Sequence, residues 1–184
     1  MTTGRWYLFI TCLFLLTGCK YDTLDKAIKK DIPFNVTEVI HIEHVKDGAI
    51  VLYTTEQEQD FHIIETVTVA FISGNDEEGW ENIGNNHWEY EESKDFTFYP
   101  NIFYKFDRKG NLQQKIPVVY GMINNDDIET IQVLGKGQKY ESIHIIEKNN
   151  KRYFIKLADF QKIRGITVDG KKVTQVNNRV RHPS

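Results

Sequence analysis

Trp80 and Trp88, with Tyr90 beyond them, flank a stretch rich in Asn and Gly. Exposed rings alternating with amide side chains suit a sugar ring or a peptide, the rings giving apolar contact and the amides hydrogen bonds. These three aromatics are the candidate ligand-binding residues. The alternative is that both indoles cap one end of an apolar core. A second candidate chemistry uses carboxylates, which cluster at Asp76-Glu77-Glu78, Glu89-Tyr90-Glu91-Glu92 and Asp126-Asp127. Glycoside hydrolysis needs an acid and a base held about 5–10 Å apart across a cleft. Glu78, Glu89 or Glu91 can serve only if the fold brings two of them together, and acidic runs in turns are ordinarily solvated.

Other chemistries lack their residues. None of Ser73, Ser93, Ser142 and Ser184 lies in a Gly-x-Ser-x-Gly elbow or a Ser-x-x-Lys. Gly135-Lys136-Gly137 is a lone Gly-x-Gly that reads as a turn rather than a phosphate loop. His41 and His44 are three apart in a strand pattern, so they point to opposite faces, which argues against a shared metal. His62, His87 and His144 have no neighbour at ligand spacing, and no acidic run follows the calcium-loop pattern. The expectation is a non-enzymatic protein with no cofactor and no metal.

The N-terminal segment carries an address. Arg5 precedes an almost unbroken apolar run from Trp6 to Leu16, too short to span a bilayer comfortably and suited to the core of a signal peptide. It ends in Leu16-Thr17-Gly18-Cys19, which resembles the lipobox of bacterial lipoproteins. There the small residues admit a peptidase and the thiol accepts diacylglycerol. Cleavage before Cys19 leaves a lipidated terminus with two or more acyl chains such as palmitate, enough for stable anchoring. The only other cysteine, Cys12, lies in the discarded segment. The expected organisation is a signal peptide over 1–18, lipidated Cys19 with a tether and short helix to residue 30, one β-rich domain over 31–176 and a flexible tail over 177–184.

The elements that must position these residues are mostly strands. Tyr21 to Lys30 has Asp22 or Thr23 as N-cap and Leu24, Ala27 and Ile28 at helical spacing, and Asp31-Ile32-Pro33 ends it. Beyond it the period becomes that of strands: Val36 to Val45, a Lys46-Asp47-Gly48 turn and Ala49 to Thr54 read as a hairpin. Phe61–Ile72, Phe96–Tyr99, Ile102–Phe106, Ile116–Met122, Ile128–Leu134, Ser142–Ile146, Arg152–Leu157, Ile163–Val168 and Lys172–Val176 continue the pattern. The fold class is therefore mainly β: a short N-terminal helix followed by about ten short, mostly antiparallel strands in a sandwich, a barrel or two curved sheets. Ile40-His41-Ile42 and Ile143-His144-Ile145 echo one another, as two copies of a module or as chance likeness between hairpins.

Composition agrees with one globular domain: of 184 residues 40% are hydrophobic and 27% charged. The net charge of −3 gives no basis for a nucleic-acid partner. The charge is segregated, however. Residues 20–104 hold 6 basic and 18 acidic residues, whereas 105–184 hold 16 basic and 8 acidic. Either the halves pair within one globule, or a basic face lies near anionic headgroups or wall polymers.

Ala27-Ile28, the run His44-Val45-Lys46-Asp47-Gly48-Ala49-Ile50-Val51-Leu52-Tyr53, Gly79-Trp80, Val118-Val119-Tyr120-Gly121-Met122-Ile123-Asn124 and Lys151-Arg152-Tyr153-Phe154 together resemble small exported lipoproteins of the bacilli. The resemblance implies the outer face of a Gram-positive cell membrane and brings no catalytic residues with it. The functional expectation is a lipid-anchored, extracytoplasmic module that binds a ligand, a cell-wall polymer or a protein partner. Its rivals are a cell-wall glycan hydrolase using a carboxylate pair and a structural component of a surface assembly.

Overall fold

A computed structural model describes residues 20–174 apart from 60 and 85. The signal-peptide segment, Cys19 and the 177–184 tail lie outside the described residues. Helix α1 spans Leu24–Asp31. The Thr23 side chain caps it by accepting from Lys26 N at 3.3 Å, and Ile32 and Pro33 end it. Ala27 and Ile28 are buried, so the helix belongs to the packed body.

Twelve strands follow among the described residues: β1 Val36–Val45, β2 Gly48–Gln59, β3 His62–Asn75, β4 Gly79–Asn82, β5 Phe96–Phe106, β6 Leu112–Ile123, β7 Ile128–Leu134, β8 Tyr140–Ile143, β9 Ile145–Lys148, β10 Lys151–Lys156, β11 Lys162–Thr167 and β12 Lys172–Val173. They form three antiparallel sheets, ordered β1-β2-β3-β4, β5-β6-β10-β9 and β12-β11-β7-β8. The mainly β expectation holds, with three open sheets in place of two or a barrel.

The sheets stack because their faces alternate. In β2, Ala49, Val51 and Tyr53 pack with α1, while Ile50 and Leu52 face the second sheet. That second interface is completed by Val67, Val69 and Phe71 opposite Tyr99, Phe103, Val118, Tyr120 and Tyr153. The reverse side of the second sheet sets Phe96, Phe98, Val119 and Phe154 against Ile128, Ile131, Val133, Ile143 and Ile163 of the third. The layers therefore run helix, sheet, sheet, sheet. Burial on both faces explains why β2 and β3 each hold eight consecutive buried residues rather than alternating ones.

Several strands differ from the sequence reading. Phe96–Phe106 is one strand through Pro100, because β5 is an edge strand and needs no second ladder. Ser142–Ile146 divides at His144, with β8 in the third sheet and β9 in the second. Asn149 and Asn150, both with positive φ, turn β9 into β10 in the manner of a type I′ hairpin.

Candidate functional site

Trp80 is not a surface residue. Its strand pairs with β3 so that Trp80 stands opposite Gly74, on the face that carries Ala70 and Ile72 towards the helix. The side chain is 7% exposed, and its indole N–H donates to Asp76 Oδ1 at 2.8 Å. This corrects the expectation of a paired Trp80–Trp88 binding surface: Trp80 belongs to the core beneath α1. Its edge is closed by Tyr21, which exchanges two backbone hydrogen bonds with it at 2.8 and 2.7 Å. Lys20, the residue after Cys19, packs on Gly79 and pairs with Glu81 at 3.5 Å.

Trp88 and Tyr90 lie on the segment that carries the chain from the first sheet to the second. This strap runs back along β3. Ile83 N donates to Phe71 O at 3.1 Å, Thr68 Oγ1 to His87 O at 2.7 Å and Thr66 Oγ1 to Glu89 O at 2.6 Å. Alternate carbonyls matched to alternate hydroxyls mark an extended chain, so Trp88 and Tyr90, two apart, share one side of it. Trp88 is half-buried and Tyr90 is 43% exposed. From the second sheet, the Tyr99 hydroxyl accepts from Glu91 N at 3.1 Å. Burial, opposed in part by hydrogen bonding to Thr97 and Glu91, raises the Tyr99 phenol above its ordinary range. The Thr66 and Thr68 hydroxyls carried no signal in the sequence, since threonine is common in strands for other reasons.

Glu78 is kept apart from the other two candidate carboxylates. Glu78 sits in the turn beside Asn75, its backbone N–H donating to Asn75 Oδ1 at 2.8 Å, while Glu89 is fixed beside Thr66. At about 3.3 Å per residue, the stretch of β3 between Thr66 and Asn75 separates them by roughly 30 Å, several times what an acid–base pair tolerates. Glu89 and Glu91, two apart on the extended strap, are about 7 Å from one another and both act on Tyr99, and Glu89 also pairs with His87 at 3.3 Å.

Two clefts open elsewhere. One of about 490 Å³ is lined by Asp95, Asn125, Asp127, Thr167, Asp169 and Lys171 among others. Its polar groups hold the local turns. Asn125 Nδ2 donates to Asp95 at 2.9 Å, and the Thr167 hydroxyl donates to Asp169, holding that carboxyl below its usual range. The other, about 320 Å³, includes Glu43, Ser142, His144 and Lys156. Trp88 and Tyr90 line neither. Among the described residues no group of three or more His, Cys, Asp or Glu side chains is placed to hold a metal ion, and no helix is long and apolar enough to cross a membrane.

Fold and site together define a helix-capped stack of three antiparallel sheets with an aromatic strap along one edge. Comparison with protein-family models, curated proteins and solved structures finds no match to this chain.

Proposed function

We propose that the protein is a lipid-anchored, non-enzymatic binding module on the outer face of the cell membrane, attached through Cys19, with the Trp88–Tyr90 side of the strap as its contact surface for a polymer or protein partner. The observation that carries the reading is the fixing of Tyr21 to Trp80, with Lys20 packed on Gly79. A lipid on the preceding residue then has almost no free chain between it and the folded body, which would sit directly on the bilayer. Glu78 is too far from Glu89 to pair with it, and Glu89 and Glu91 line neither cleft, which favours binding over glycan hydrolysis.

The test is Cys19→Ser in the expressing cell. Loss of fatty-acid labelling and release from the membrane fraction support the reading; undiminished labelling overturns it. One observation favours the reading of a structural assembly component: a patch of exposed apolar side chains at the tip of the β5–β6 hairpin.

A further inference from the structure

The β5–β6 hairpin outruns the sheet that covers it. Phe96 and Phe98 at its base are buried against the third sheet. Ile102, Tyr104 and Phe106 continue the same face of β5 and are 38%, 44% and 58% exposed. Opposite them in register stand Pro117, Lys115 and Leu112, the last 51% exposed. The Tyr104 and Phe106 rings stack with centroids 6.3 Å apart.

Around this apolar face the charge is reversed relative to the chain. Residues 102–117 hold four basic side chains, Lys105, Arg108, Lys109 and Lys115, and one acidic one, Asp107. The Asp107 carboxylate is spent inside the turn, accepting from Lys109 N and Asn111 N at 2.8 Å each and from Asn111 Nδ2 at 2.9 Å. Those bonds, the Asn111 side chain first, hold its carboxyl below the usual range. Rings and aliphatic side chains beside lysine and arginine are what an interfacial surface needs: the apolar part enters the headgroup boundary and the cations meet anionic lipid.

The tip also points the right way. The Phe71 and Phe103 rings meet at a tilt across the first two sheets, centroids 5.9 Å apart, with Gly84 between the Phe71 backbone and the Phe103 ring. From Phe71 the chain runs three residues to Gly74, where Trp80 and then Tyr21 and Lys20 lie alongside. Tyr99 is held beside Glu91, near the Thr66 end of β3, so β5 runs from there towards Phe103 and on to the tip in the same sense. The tip and Lys20 are therefore at one end of the molecule. The acidic Asp76–Glu78 turn is also at this end, but on the first sheet, about 10 Å away through the layer spacing.

We propose that the β5–β6 hairpin tip is a membrane-seating surface, with Tyr104, Phe106 and Leu112 entering the interface of an anionic bilayer and Lys105, Arg108, Lys109 and Lys115 meeting its headgroups. The orientation of the tip rests on the proposed anchoring at Cys19; binding of the tip to an anionic bilayer, read on the unlipidated chain, does not.

The test uses the full chain carrying Cys12→Ser and Cys19→Ser, so that a thiol introduced by Phe106→Cys or Phe61→Cys is the only one. Phe61, 96% exposed at the β2–β3 tip on the opposite end, is the control. Each thiol is labelled with a polarity-sensitive fluorophore, and thermal melts check that both labelled chains remain folded. On phosphatidylglycerol-containing vesicles the label at 106 shifts to the blue, brightens several-fold and is quenched by nitroxide-bearing lipid. It does none of this on phosphatidylcholine alone, and the label at 61 does not respond on either. Arg108→Ser and Lys109→Ser each weaken the insertion equilibrium about fivefold. A silent label at 106, an equal response at 61, or a response that rises with protein concentration in the absence of vesicles overturns the proposal; the last assigns the patch to contact between copies of the chain. Fatty-acid labelling of the unmodified chain separately decides the anchoring reading.

Discussion

The indole N–H of Trp80 reaches back across its own turn to the Asp76 carboxylate at 2.8 Å. The bond lets a large side chain with one polar atom lie under α1 without an unpaired donor, because that atom is turned to the rim where Asp76 meets water.

Removing the Trp80 ring should therefore cost stability rather than binding. Trp80→Ala is expected to lower the unfolding free energy by about 3–5 kcal/mol. Asp76→Ala, which leaves the indole N–H unpaired, should lower it by about 1–3 kcal/mol. Trp88→Ala, from a half-buried position, should cost clearly less than Trp80→Ala. Denaturant melts of the three variants check the order, and a Trp88→Ala loss as large as that of Trp80→Ala would return Trp88 to the core and remove the proposed contact surface.

The strap is held by side-chain hydroxyls where a strand would use a ladder. Thr66→Val and Thr68→Val should each cost about 0.5–1.5 kcal/mol, the net worth of one hydrogen bond. More tellingly, amide exchange over 83–91 should speed up while exchange in β2 and β3 is unchanged. Uniform acceleration across the first sheet would show that the threonines support the sheet and not the strap.

Gly121 marks the tightest approach in the second sheet. A Cβ there would stand 1.9 Å from Thr97 O and 2.7 Å from the Phe154 ring. Gly121→Ala should cost about 3 kcal/mol or more, since the strand itself must move. Near wild-type melting would mean that β5 and β6 are free to separate at that point.

Alkaline pH should weaken the fold. Burial first, with Glu65 and Glu38 adding to it, pushes the Tyr153 phenol up to about 12, and burial raises Tyr53 and Tyr99 in the same direction. Below the unfolded value of about 10 these phenols are protonated in both states and stability is unaffected. Between about 10 and 12 the unfolded chain sheds protons that the folded chain keeps, so stability falls as pH rises. Denaturant midpoints on either side of pH ~10 should show the fall, and phenolate absorbance should appear together with unfolding. Full ionisation of all tyrosines in the native state would contradict it.

Local elements were legible where local chemistry decides them. Thr23 and Pro33 bracket the helix, and Lys46-Asp47-Gly48 turns β1 into β2, as the residues suggest. What escaped depends on partners distant in sequence. Gly79–Asn82 is a strand only because β3 runs on to Asn75 and offers it an edge, so Trp80 read as a loop aromatic. Ser142–Ile146 has no break of its own, and the chain changes sheet at His144 although Ile143 and Ile145 share the core between the second and third sheets, Ile146 alone facing the first. The echo between residues 40–42 and 143–145 has no structural counterpart in its first part, since one copy lies within β1 and the other straddles that change. The charge segregation was legible, and part of it resolves into pairs between halves: Lys151 with Glu65 at 2.6 Å and Lys148 with Glu38 at 3.6 Å. The basic residues of the hairpin tip form no such pair between halves among the described residues.

The order in which strands join their sheets bears on how the molecule assembles in time. The first sheet is a meander whose neighbours are consecutive in the chain, so it can form from short loops and low closure entropy. The other two are threaded through each other: the chain leaves the second sheet after β6, makes β7 and β8 of the third, returns for β9 and β10, and departs again for β11 and β12. Neither can be finished before the other is nearly complete. Refolding should thus show an early unit containing β1–β4 and a later one in which eight strands condense together. Until that second step ends, the inner face of the first sheet is an exposed apolar surface, the state in which a newly made chain is most open to aggregation.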